Sequence, residues 1–126
     1  MRTGREVLYR ALRLLGYTDG YGRVDGARDA ELLRRGTAAV EQIYADLCRV
    51  AASGGTDGWE GDLDSPLPLS LETVNDVMPY GVAMLLAQGE SDGDAQSLYA
   101  SLYNAKRAGT PRPSTRRTDV LPRFIG

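Results

Sequence analysis

Histidine is missing from this chain altogether, and lysine, cysteine, tryptophan and phenylalanine occur once each. Without histidine there is no His-based catalytic triad and no imidazole ligand for zinc. A single cysteine, Cys48, excludes an internal disulfide and with it a stapled secreted domain. Cys48 falls within a helical pattern, where a free cysteine behaves as a small buried apolar residue. Long apolar runs are missing too: none approaches the roughly 20 residues needed to span a bilayer. Met1 to Leu15 alternates arginine with apolar residues and lacks the unbroken apolar core of a secretory signal, so a cytoplasmic origin and no membrane association are expected. The aspartates and glutamates that remain as acid–base candidates cluster in loops and helix caps, which already accounts for them. The chain therefore reads as a non-enzyme with no catalytic residue, no metal site and no cofactor.

Two motifs invite a ligand and fail on spacing. Gly20 and Gly22 lie in YTDGYGRVDG, but a phosphate-binding glycine loop follows a strand and opens a helix. Here a helical pattern precedes, and no lysine is near. The acidic stretch 54–69 holds Asp57, Glu60, Asp62 and Asp64, yet a calcium loop needs glutamate at its twelfth position. Counted from Asp57 that place is Pro68, and counted from Asp62 it is Thr73.

What is present is apolar periodicity. The 126 residues are 42% hydrophobic, enough for one domain with a modest core. Val7, Leu8, Ala11, Leu12 and Leu15 share one face of a first helix over 3–15, with Thr3 or Gly4 as its cap, Glu6 in its first turn and Gly16 as its stop. Its Arg5, Arg10 and Arg13 lie away from that face and read as a solvated surface. Tyr17, Tyr21 and Val24 are expected to pin the following loop to the bundle. A second helix, 28–52, carries Leu33, Gly36, Val40, Ile43, Leu47 and Val50 at alternating steps of three and four, broadened by Leu32, Ala39, Tyr44 and Ala51. This is the core stripe of a bundle, with Gly36 leaving room for close approach by another helix. The acidic loop 54–69 follows. Its Trp59 is either an anchor on the core or an interface residue.

The centre of the chain is 70–109. Leu71, Val74, Met78, Val82, Leu85 and Leu86 make one apolar stripe over 71–88. A polar turn at 89–93 leads to a second stripe over 93–108, of Ala95, Leu98, Tyr99, Leu102 and Tyr103. Pro79 interrupts the first stripe, so either the helix kinks or a short helix ends near Asn75–Asp76 and Pro79 opens the main one. Ser91 and Asp92 both suit the cap of the last helix, and Lys106 and Arg107 suit its C-terminal turn. The fold class expected is all-α: a small bundle of four main helices (domain 1–109), with a long acidic loop and an extended C-terminal tail (110–126).

The run VMPYGVAMLLAQGESDGDAQSLYASLYNAKRA resembles the hairpin of small head–tail connector proteins of tailed phages and prophages, also called adaptor or head-completion proteins. The matching residues are Pro79, Gly81, Val82, Ala83, Leu86, Ala87, Asp92, Asp94, Tyr99, Tyr103 and Asn104. The resemblance covers roughly the middle third of the chain and rests on apolar spacing plus a glycine–acid turn. It implies a structural virion protein of the neck, made in the host cytoplasm. Its copies would form a homo-oligomeric ring between the portal protein and the tail or stopper proteins, and DNA would pass through that ring without sequence-specific binding. Two other readings stand beside it: a small nucleic-acid-binding or packaging protein using its arginines, and another tail-completion subunit. The acidic balance, −2 overall, weighs against the former, because duplex affinity is built from clustered cations.

Charge is distributed unevenly. Residues 55–94 hold nine acids and no lysine or arginine, whereas 95–126 hold six cations and one acid. Such blocks suit head-to-tail association between copies. The candidate subunit-interface residues are therefore Trp59, Asp62 and Asp64 from the acidic loop, and Arg116, Arg117, Leu121, Phe124 and Ile125 from the tail. The tail's prolines exclude helix, and its apolar residues are too many for an idle solvated end, so docking on a neighbouring subunit is expected.

Overall fold

In the computed structural model the described residues are 3–17, 30–51, 59 and 61–110. They form an all-α bundle of four main helices and one short one: α1 (Gly4–Leu15), α2 (Ala30–Ala51), α3 (Leu71–Asp76), α4 (Met78–Gly89) and α5 (Gly93–Ala108). The tail from 111 onward, Tyr21 and Val24 lie outside the described residues, as do 28, 29 and 52 at the expected ends of the second helix.

Each boundary has a local cause. Thr3 closes a capping box with Glu6: its hydroxyl accepts the Glu6 N–H, and Glu6 Oε1 accepts the Thr3 N–H at 3.0 Å. Gly16 ends α1 at φ 78°, a left-handed conformation in which a Cβ would be strained. Of the two arrangements open at Pro79, the chain adopts the second. Ser70 caps α3, which stops at Asp76, and Pro79 lies in the first turn of α4, where its absent N–H removes no helical hydrogen bond. At the hairpin turn Ser91 carries a φ of 59°, and Asp92 alone caps α5 by accepting the Ala95 N–H at 3.2 Å.

Helix α4 is the hub. It packs against α5, α1, α2 and α3, and buries Met78, Pro79, Gly81, Val82, Ala83, Leu86 and Ala87. Two glycines set the spacing around it and beside it. A Cβ on Gly81 would stand 2.8 Å from both Ile43 of α2 and Tyr103 of α5, so no larger residue fits between three helices. A Cβ on Gly36 would collide with Leu8, so the glycine in the α2 stripe is where α1 crosses α2 closely, as expected. Val40, Ile43, Leu47 and Val50 are buried, which places the α2 seam inside its own bundle. Cys48 is buried as a small apolar residue.

Three expectations about the core need correction. Periodicity puts Leu71 and Leu98 on apolar stripes, yet they are 57% and 53% exposed. Leu71 sits at the first position of a one-and-a-half-turn helix whose inner side is taken by Thr73 and Val74. On α5 the buried positions are Tyr99 and Tyr103, and Leu98 is not among them. Leu85 and Leu102 are only half-buried, and the fully enclosed large side chains are instead Leu8, Leu12, Leu47, Leu67, Met78 and Leu86.

Candidate functional site

The acidic loop is held by its own chain. Trp59 is buried against Tyr44, with ring centroids 5.8 Å apart, and its edge covers Gly4, where a Cβ would be 2.8 Å from Trp59 Cζ2. Its indole N–H donates to the Ser65 carbonyl at 3.3 Å. Trp59 thus packs on the core, as an anchor would, and also lines a surface cleft with Tyr44 and Cys48. Asp62 shapes the loop: its carboxylate accepts the Asp64 N–H and the Ser65 hydroxyl, both at 3.0 Å. Asp64 accepts from Nε and Nη2 along one edge of the Arg5 guanidinium, at 2.7 and 3.3 Å, and the Arg5 backbone N–H donates to the Leu63 carbonyl at 2.9 Å. This hydrogen bonding holds the Asp64 carboxyl below its ordinary range and pushes the Arg5 guanidinium up. Asp62 and Asp64 are exposed, and each has a place within the loop. Arg116, Arg117, Leu121, Phe124 and Ile125 lie outside the described residues, so the structure brings no tail residue to the acidic loop.

A second polar cluster ties α5 to α2. Asp46 accepts two hydrogen bonds from Arg107, at 2.6 and 3.1 Å, and one from the Tyr103 hydroxyl at 2.6 Å. Arg49 flanks it at 3.0 Å. The paired guanidinium fork lowers the Asp46 carboxyl, with a smaller contribution from Tyr103. Burial, then the Asp46 carboxylate, pushes the Tyr103 phenol well up. The other tyrosine of the same face, Tyr99, donates to the Leu14 carbonyl of α1 at 2.8 Å. Lys106 lies 4.7 Å over the Tyr80 ring. The hairpin turn is tied to α1 and α2 in turn: Tyr17 donates to Asp92 at 3.3 Å, and Arg35 pairs with Glu90.

Two of the surface clefts border α3. A groove of about 550 Å³ runs between α1 and the α3–α4 junction, floored by Val7, Val74 and Pro79 and rimmed by Arg5, Arg10, Arg13 and Asp76. A smaller cleft of about 180 Å³ lies between α3 and the end of α5, bounded by Glu72, Asp76, Val77, Lys106 and Thr110. Asp76 belongs to both. Sequence reasoning put Leu71 and Val74 on one apolar stripe and did not single out the exposed Glu72 and Asp76 beside them. The signal for them was the proline at 79, which shortens the helix and frees one side of it. Among the described residues no group of three or more cysteine, aspartate or glutamate side chains is arranged to hold a metal, and no helix is long and apolar enough to cross a membrane. Comparisons with protein-family models, with curated proteins and with solved structures give no match.

Proposed function

We propose that this chain is a head–tail connector (adaptor) subunit of a tailed phage or prophage, a structural virion protein and not an enzyme. Its copies form a ring at the neck between the portal and the tail or stopper proteins, through which DNA passes. The observation that carries the reading is the hairpin. The residues on which the resemblance rests are those that make α4 and α5 one rigid piece: Pro79 opens α4, Gly81 admits three helices at one point, Asp92 caps α5, and Tyr99 and Tyr103 tie it to α1 and α2. A body that spends its polar side chains on internal ties, and among the described residues offers no metal-holding cluster, suits a building block better than a catalyst.

The test is assembly. Mixed with the portal rings of its own phage or prophage, the chain should co-sediment as a ring-shaped complex visible by electron microscopy, with a fixed number of copies per portal. A chain that stays monomeric beside intact portal rings refutes the reading. Binding to duplex DNA that collapses steeply with added salt, in place of ring formation, would favour the packaging-protein alternative.

A further inference from the structure

Two surfaces of unlike charge lie at opposite ends of α4. At its start is the groove between α1 and the α3–α4 junction, which Arg5, Arg10 and Arg13 line together with Glu6 and Asp76. Glu6 is committed to the Thr3 capping box, and Arg10 and Arg13 are exposed, so the groove carries an excess of positive charge. At the other end is the hairpin tip, Gly89 to Asp94, whose charged residues Glu90, Asp92 and Asp94 are all acidic. Pro79 borders the groove and Glu90 caps α4, so about 17 Å of helix separates the two. The tip is a projecting turn: Gly89, Glu90, Ser91, Gly93 and Asp94 are exposed. It is also fixed in place. The Asp92 N–H donates to the Ala87 carbonyl at 2.9 Å, its carboxylate accepts the Ala95 N–H and the Tyr17 hydroxyl, and Arg35 pairs with Glu90. Arg35 offsets one of the three acids, and the tip stays acidic through Asp92 and Asp94.

We propose that the acidic hairpin tip of one copy of this chain docks in the arginine-lined groove of the next copy. Charge selects the arrangement. Groove against groove across a two-fold axis would set guanidinium groups against each other, and tip against tip would do the same with carboxylates. Only the head-to-tail pairing brings unlike charges together. Position agrees with it: because the two surfaces lie at different ends of one body, each copy can give its tip and receive another at once, as a closed ring of copies requires. The internal ties of the tip agree as well, since a turn already held in place loses little conformational freedom on docking. The acidic partner thus comes from the hairpin and not from Asp62 and Asp64, which the loop and Arg5 already engage. The proposal rests on the reading of the chain as a ring subunit and names the surfaces through which its copies meet.

The test mixes two samples of the full chain. One is unenriched and carries a nitroxide on Gly93→Cys, where an added Cβ meets nothing within 4 Å; the other is ¹⁵N-enriched and carries no label. Cys48 is buried and does not compete for the label. Docking predicts loss of the amide NMR signals of Val7, Arg10, Asn75 and Asp76 in the ¹⁵N chain, deepening with concentration. Reversing the tip of the labelled chain, Glu90→Lys with Asp94→Lys, should restore those signals. Reversing the groove of the ¹⁵N chain, Arg10→Glu with Arg13→Glu, should also restore them against the unreversed tip. Combining the two reversals should bring the loss back. Groove signals that persist beside the labelled chain at its highest soluble concentration, or losses confined to another face, overturn the docking. Loss that survives either reversal overturns the pairing of these charges. Groove signals that respond to short duplex DNA and not to the second copy put nucleic acid there and overturn the proposal. Rings that form on portals equally well with Arg10→Glu and Arg13→Glu overturn this contact and leave the connector reading standing. The NMR contact without any ring on portals supports the contact and sinks that reading instead.

Discussion

Helices α4 and α5 come from one hairpin and one sequence resemblance, yet they are held in different ways. Helix α4 is surrounded: α1, α2, α3 and α5 all pack on it, and most of its side chains are buried. Helix α5 lies on α4 by one face, burying Tyr99 and Tyr103, and reaches α1 and α2 through tyrosine hydroxyls and Arg107. An enclosed helix is fixed by shape and apolar area, whereas a peripheral one is fixed by a few directional polar ties. Its other face stays available, which for α5 includes the exposed Leu98.

If that contrast is right, the largest losses come from α4. Met78→Ala or Leu86→Ala should cost about 2–5 kcal/mol in urea unfolding, because each leaves a cavity that its neighbours cannot fill. Losses under about 1 kcal/mol for both would mean that α4 is not the hub. Gly81→Val comes next, at about 1–3 kcal/mol, since the added methyls must displace Ile43 or Tyr103. A neutral outcome there would show that the three-helix contact is looser than described.

On the α5 side the expected effects are smaller and polar in origin. Asp46→Ala should cost about 1–3 kcal/mol, because it strands the Tyr103 hydroxyl, and Tyr103→Phe about 1 kcal/mol. The same cluster predicts a pH dependence. The Asp46 carboxyl is lowered from 3.8 in the folded chain, so its contribution is complete well above that value and is lost as pH falls through the depressed folded one. Thermal unfolding followed from neutral to strongly acidic pH should fall less steeply for Asp46→Asn than for the parent chain. Parallel curves would show that Asp46 is not what links α5 stability to acid. The smallest effect belongs to Leu98→Ala, within about 0.5 kcal/mol in the isolated chain. A loss there comparable to Leu86→Ala would erase the distinction between the two helices.

Particular residues show how far sequence reasoning reaches. The ends of α1 and α5 were legible because caps and stops act over three or four residues: the Thr3–Glu6 box, Gly16 and Asp92. Gly36 was legible as a point of close approach, though not its partner, Leu8. Leu71 and Leu98 were misplaced because periodicity says which residues share a face, not whether another helix covers it. The packing of Trp59 on Gly4 and Tyr44 was not legible, because it joins residues far apart in the chain.

The sequence by itself determined the four main helical stretches, an interruption at Pro79 and the absence of histidine chemistry. These depend on contacts within one or two turns, or on composition alone. Only the tertiary structure decided that α4 is the hub, that Asp46 gathers Arg107 and Tyr103, and that Arg5 meets Asp64. Those pairings join residues far apart in the chain, and their partners follow from how the helices pack, which no local pattern encodes.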